Sequence, residues 1–261
     1  MKIPSIGLGT WKLSGDECER IVRQALELGY RHIDTADAYE NHHAVGKAIR
    51  SFPREQLFLT TKLWFNDLVP ERVHQATARF LDELQVPYID LLLIHWPSPD
   101  VNLIETLQDM VKLKQEGVIR EIGISNFVRF HLKELAPHHF PILTNQIELH
   151  PYYQRRPLVK ACEEAKIIVT AYRPAAQGAF EEDPVMQKIG KKYGKSPTQI
   201  ALKWIHQQGM VVIPKAANPK HLKENLAILD FTLDAADMKA IDALDCGKRL
   251  CAPEGFPVYD D

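Results

Sequence analysis

Four side chains have the types that proton-coupled chemistry needs: Asp34, Tyr39, Lys62 and His95. A free tyrosine has a pKa near about 10 and is a poor proton donor at neutral pH. A nearby ammonium favours the phenolate and lowers that value, and a buried lysine needs a counter-ion that an aspartate can supply. A histidine beside them can orient a carbonyl oxygen through a ring nitrogen. Such a group equips general acid catalysis, protonating an oxygen as hydride reaches the adjacent carbon. A positioned acid of this kind gives roughly 10²–10⁴-fold.

What would bring them together is their place in the hydrophobic pattern. Asp34 closes the alternating run Arg31-His32-Ile33, and Tyr39 follows in the next loop. Lys62 follows Leu57-Phe58-Leu59-Thr60-Thr61, and His95 follows Asp90-Leu91-Leu92-Leu93-Ile94. Each alone has a plainer reading, as a structural aspartate, a solvated lysine or a packed strand terminus. Together they fall at the same end of successive strands.

The rest of the chain repeats the strand–helix alternation. Further strands are expected at Ile6 to Thr10, Glu121 to Ser125, Leu143 to Gln146, Ile167 to Ala171 and Met210 to Ile213. Between them run helical patterns, such as Cys18, Ile21, Val22, Ala25 and Leu28. Ser14-Gly15-Asp16-Glu17 matches a capping box, while Pro70, Asp183-Pro184, Ser196-Pro197 and Asn218-Pro219 mark helix starts. Eight apolar strands alternating with helices suit parallel strands covered on both sides. The expected fold is a (β/α)₈ TIM barrel, α/β class, one domain over residues 1–261, with its site at the carboxyl ends of the strands. An open doubly wound sheet would bring a Gly-x-Gly-x-x-Gly turn near its first strand, and none occurs.

Composition narrows the partners. Thirty-two basic and 34 acidic residues leave a formal charge of -2, with no basic run to suit nucleic acid or an anionic membrane. Four cysteines show neither Cys-x-x-Cys nor metal-ligand spacing and read as reduced thiols. Pro4 interrupts the start before a signal-peptide core forms, and no apolar run approaches the roughly 18 residues of a membrane helix. A cytoplasmic protein is expected. Nothing forces an interface, so a monomer is expected as well.

Seven segments resemble the aldo-keto reductase family. They are Gly-Leu-Gly-Thr-Trp (7–11), Gly-Tyr-Arg-His-Ile-Asp-Thr-Ala-Asp-Ala-Tyr (29–39), Thr-Lys-Leu-Trp (61–64), Leu-Ile-His-Trp-Pro (93–97), Gly-Ile-Ser-Asn-Phe (123–127), Asn-Gln-Ile-Glu-Leu-His-Pro (145–151) and Ile-Pro-Lys (213–215). The tail over residues 243–255 is similar to that of the family's bacterial 2,5-diketo-gluconate and methylglyoxal reductases. The resemblance implies NAD(P)H-dependent reduction of aldehydes and ketones, with Asp34, Tyr39, Lys62 and His95 as the catalytic tetrad and Tyr39 as proton donor. It implies that Ser125, Asn126 and Gln146 hold the nicotinamide carboxamide and that Tyr172 stacks on the ring. Thr10, Trp11 and Asp34 would lie along the cofactor. Lys215, Glu224 and Asn225 would serve its adenosine end. Trp11, Trp64, His95 and Trp96 would wall the substrate pocket, ordinary core packing being the competing reading for the tryptophans.

Departures from the family pattern fall at the cofactor. Tyr-Ser-Pro-Leu reads Tyr172-Arg173-Pro174-Ala175, Ile-Pro-Lys-Ser ends on Ala216, and an expected arginine is His221. A charge-assisted contact is worth roughly 1.5–3 kcal/mol, so the expected preference for NADPH is weakened and NADH becomes usable. Arg173 is a candidate to compensate along the pyrophosphate. Only residues 97–102 follow the His95 strand before its helix, and the segment after Gly247 is short, which predicts an open, wet pocket for small or polar carbonyls. Residues 175–183 are expected to form its remaining wall.

Two rival functions stand beside this one. A metal-dependent barrel hydrolase would need ligand pairs, but His42-His43 and His138-His139 are adjacent residues that point apart, so no metal is expected. A nucleotide-binding barrel without catalysis, such as a redox sensor, would have no use for the full tetrad.

Overall fold

The computed structural model describes residues 2–252, and within them the strand–helix alternation closes on itself. Its strands are β1 (Leu8–Gly9), β2 (His32–Asp34), β3 (Phe58–Leu63), β4 (Ile89–Ile94), β5 (Ile119–Ser125), β6 (Ile142–Glu148), β7 (Ile168–Tyr172) and β8 (Val211–Val212). All pair in parallel and in chain order. The seam is shut by parallel bridges Ile6↔Val212 and Gly9↔Lys215, with Gly7 N–H on Val212 O at 2.9 Å. Gly9 is required there, since a Cβ would stand 2.9 Å from the Ile213 carbonyl oxygen. The result is a (β/α)₈ barrel.

Around the strands lie α1 (Gly15–Leu28), α2 (His42–Ile49), α3 (Pro70–Leu84), α4 (Leu103–Gln115), α5 (Arg129–Leu135), α6 (Arg156–Glu164), α7 (Pro184–Tyr193), α8 (Pro197–Gln207), α9 (Pro219–Leu226) and α10 (Ala235–Asp242). Asp183, Ser196 and Asn218 each cap a helix that begins on proline, as their sequences predict. The capping box expected at Ser14 does not form. Ser14 precedes α1 in an extended conformation, its side chain accepts no capping bond, and only its carbonyl is taken, by Cys18 N–H.

Strand periodicity sorts the core into two layers. Outward residues such as Leu59, Leu92, Ile122 and Ala171 pack beneath the helices. Phe58, Leu91, Leu93, Val211 and Ile213 fill the barrel interior. Lys62, expected just past its strand, lies inside β3, which runs to Leu63. Inward alternation therefore carries Phe58, Thr60 and Lys62 up one wall, and Leu91, Leu93 and His95 up the next.

Candidate active site

At the carboxyl end of the barrel the inward residues change from aliphatic to hydrogen-bonding. Lys62 is fully buried, and its Nζ donates to Asp34 Oδ1 at 2.5 Å and to Thr35 O at 2.7 Å. From the far side of the barrel, Gln146 Nε2 donates to Asp34 Oδ2 at 2.7 Å. Burial lowers the Lys62 pKa and the Asp34 charge opposes that fall. The pair is therefore a compensated one, which is what makes a buried ammonium tolerable.

Tyr39 sits in a short 3₁₀ turn, Asp37–Tyr39, with its ring centroid 5.0 Å from Lys62 Nζ. The same ring meets the His95 imidazole edge-on, 5.7 Å between centroids. Its pKa departs from the expectation. Burial, backed by the Asp34 charge, pushes the phenol well above its ordinary range, so the nearby ammonium does not leave it acidic in the ground state. Tyr39 is thus held as the neutral phenol, the form that donates a proton. His95 is displaced the other way: burial, then the Lys62 charge, holds it well below its usual value and leaves it a neutral imidazole. Its Nδ1 has no hydrogen-bond partner among the described residues.

The turn carrying Tyr39 and the turn after Trp64 are tied together by a residue the sequence reading did not single out. Arg79, on α3, reaches both oxygens of Asp37 at 2.7 and 3.2 Å and Asp67 Oδ2 at 3.2 Å. Asp37 starts the Tyr39 turn, and Asp67 ends the turn Phe65–Asp67 beside Trp64. A charge pairing of this kind was not legible because α3 exposes several other charged residues at similar spacing.

Ser125, Asn126, Gln146 and Tyr172 form a continuous polar arc. Ser125 Oγ donates to Gln146 O at 2.8 Å, and Asn126 Nδ2 donates to His95 O at 2.9 Å. Tyr172 OH donates to Asn126 Oδ1 at 2.8 Å. Asn126 and Arg173, the residues next after β5 and β7, both have left-handed backbones, with φ of 64° and 50°. Non-glycine residues in that region cluster where a side chain must be aimed.

One cavity of about 720 Å³ joins these groups. Asp34, Tyr39, His95, Trp11, Trp64 and Trp96 line it, as do Ser125, Asn126, Gln146, Tyr172, Arg173, Pro174, Ala175 and Lys215. Lys62 stands behind Asp34 rather than in the wall. Thr10 is also out of the wall, buried and donating to Asp34 O at 3.0 Å. Ala216, His221, Glu224 and Asn225 do not line the cavity; the last three lie on α9, beyond Lys215. Of residues 175–183 only Ala175 and Gln177 contribute.

The tail changes the expected picture of an open pocket. Leu250, Cys251 and Ala252 line the cavity, drawn against its side by Glu148. Residues 253–255 of the tail motif lie outside the described residues. Glu148 was visible only as part of the 145–151 motif; its partners in the tail are about a hundred residues away, and no local pattern announces them.

Among the described residues, Asp37, His42 and Glu83 bring metal-type ligand atoms within 4.8 Å of one another. Arg79 already pairs with both carboxylates, and none of the three residues lines the cavity.

Comparison with known proteins points to one family. The family profile described as Aldo/keto reductase family matches residues 5–245. The chain is 43% identical over 267 aligned residues to the methylglyoxal reductase DkgB of Escherichia coli O157:H7, covering 100% of both chains. Its fold superposes on the crystal structure of MGS-M4, an aldo-keto reductase from a Medee basin deep-sea metagenome library, with TM-score 0.95, 37% identity and coverage of 99% of this chain and 97% of that one. A structure provisionally named 2,5-diketo-D-gluconic acid reductase B gives TM-score 0.95 at 38% identity, covering 99% and 94%.

Proposed function

The chain belongs to the aldo/keto reductase family, and on that premise we propose that it reduces small, polar carbonyls with NADPH, Tyr39 delivering the proton. As a family member it is an oxidoreductase that reduces carbonyls with a nicotinamide cofactor. The observation that carries the assignment of roles is the shared cavity, where a neutral Tyr39 phenol and a neutral His95 imidazole meet edge to face beside the Asp34–Lys62 pair.

When bound, the reduced nicotinamide supplies hydride. The residues present fit such a group. A carboxamide needs both donors and acceptors, which the Ser125, Asn126 and Gln146 side chains offer along one arc. The Tyr172 ring supplies an aromatic face, and Arg173 and Lys215 supply cations for phosphates. Tyr39 would give its proton to the carbonyl oxygen, with Lys62 stabilising the phenolate left behind and Asp34 keeping Lys62 charged. His95 would fix the oxygen by donating from one ring nitrogen. Trp11, Trp64 and Trp96 would exclude water from the reacting carbon.

NADPH is the proposed cofactor because Lys215 faces the cavity and Arg173 adds a second cation; NADH is the weaker alternative. Thr10 would brace the Asp34 strand end. Glu224 and Asn225 would meet the adenosine end from α9, with Ala216 and His221 weakening 2′-phosphate recognition. The proposed substrates are α-dicarbonyls such as methylglyoxal, together with keto sugars. Support comes from the names of the relatives and from the polar floor of the cavity. We read residues 1–261 as one catalytic domain, a cytoplasmic monomer; no helix among the described residues is long and apolar enough to cross a membrane.

The test is a substrate panel read by oxidation of the reduced cofactor, run on the wild type and on Tyr39→Phe. Methylglyoxal and keto sugars should outrank steroid and long-chain ketones. The variant should lose roughly 10²–10⁴-fold in kcat with cofactor Kd unchanged. Full activity in Tyr39→Phe would overturn the assignment of the proton donor.

A further inference from the structure

We propose that Glu148 is a positioning residue for substrate choice: its buried carboxylate fastens the backbone of Leu250 and Cys251 as a wall of the reaction cavity and so limits the size of carbonyl admitted. The inference rests on that cavity being where the carbonyl is reduced.

Glu148 ends β6, two residues past Gln146 on the same inward face, and is 1% exposed. Both of its oxygens are engaged. Oε1 accepts from Leu250 N–H at 2.6 Å and Oε2 from Cys251 N–H at 2.7 Å, while His150 Nε2 lies 3.1 Å from Oε1. A carboxylate with these partners is satisfied and is not available for proton transfer to a substrate. What it provides is a fixed pair of acceptors for two successive backbone N–H groups.

The strap it holds is tied at other points too. Leu250 O accepts from Arg173 Nη1 at 2.6 Å, so both backbone polar groups of Leu250 are taken. Lys248 N–H donates to Tyr152 O at 2.9 Å. Arg173 in turn lies over the Trp11 ring, 4.8 Å from its centroid. The strap thereby continues from the β6 end to the β1 loop. Leu250, Cys251 and Ala252 line the same cavity as Tyr39, Trp64 and Tyr172. Removing one acceptor oxygen should release a wall, not merely loosen a surface.

The test uses the full chain. Glu148→Gln replaces one acceptor with an amide that presents N–H to N–H, and Leu250→Pro removes the matching donor from the strap side. Each should raise the ratio of kcat/KM for a bulky aryl ketone over methylglyoxal by roughly tenfold, the scale on which pocket walls discriminate. The change should fall on KM, with cofactor Kd held. Tryptic cleavage after Lys248, followed by mass spectrometry, should accelerate in both variants; cleavage after Arg249 is read in Glu148→Gln alone, because trypsin does not cut before proline. Because Leu250→Pro removes one of the two strap contacts that Glu148→Gln disturbs, the double variant should not exceed Glu148→Gln. Unchanged cleavage in Glu148→Gln, or a freed strap with an unchanged ratio, overturns the inference. So do effects that multiply in the double variant. If Glu148→Gln does not fold, Leu250→Pro alone decides on the same two readouts. Tyr39→Phe, run in parallel, reports separately on whether this cavity is the reaction site.

Discussion

Lys62 Nζ lies 2.5 Å from Asp34 Oδ1, with the two side chains 0% and 2% exposed. A pair withdrawn this far from water is held by mutual compensation, and losing one partner strands the other. Asp34→Asn should destabilise the fold by about 3–5 kcal/mol. Adding Lys62→Met should recover a large part of that loss, although activity stays absent. Denaturant midpoints of the two variants check the first statement, and kcat the second.

The opposite displacements of Tyr39 and His95 imply different pH profiles for reduction and for the reverse oxidation. With the phenol pushed well above its ordinary range and the imidazole well below, neither titrates near neutrality. Carbonyl reduction should therefore be nearly flat in kcat/KM from pH 6 to 8. Alcohol oxidation needs the phenolate as base, so its rate should climb with pH through the alkaline range. Paired pH–rate profiles in the two directions check this, and a reductive limb titrating near the usual histidine value would contradict it.

Acid should weaken the fold through His32. This imidazole, 1% exposed in the barrel interior, contacts Thr60 Oγ1 through Nε2, and burial lowers its pKa from 6.5 to about 4. Between those values the unfolded chain binds a proton that the folded chain does not. Stability from this group is therefore complete above pH 6.5 and falls by about 1.4 kcal/mol per unit towards pH 4. Denaturation across that window should show the slope, and His32→Gln should reduce it by about one proton.

Cofactor choice should be adjustable at one exposed position. His221 stands in the first turn of α9, where its N–H donates to the Asn218 cap and leaves the side chain at the surface. His221→Arg should lower KM for NADPH roughly tenfold and leave that for NADH unchanged, as one added charge-assisted contact would. Steady-state kinetics with both cofactors decide it.

Much of the barrel was readable before any coordinates. Period-two alternation in runs such as Phe58 to Lys62 implies which residues face inward, and parallel pairing then puts strand ends at one rim. Asp34 and His95 follow from that logic, with Tyr39 in the loop after Asp34, whereas Gln146 and Tyr172 follow only from the family resemblance of their segments. Less visible were features set by distant partners. Ser14 has the residues of a capping box and does not use it. The electrostatics of Tyr39 are not legible from a pairwise argument with Lys62, which omits the loss of solvent that dominates in a closed site. Glu148 and Arg79 look like ordinary acidic and basic residues until the tail and the α3 surface are in place.

The hydrogen-bonded arc from Tyr172 through Asn126, Ser125 and Gln146 to Asp34 has a last consequence. A guest amide arriving there finds Ser125 and Asn126 already engaged and must compete with partners in place. Recognition at this spot should be selective but enthalpically shallow, so tight cofactor binding has to draw its strength from the phosphates far from the reacting carbon.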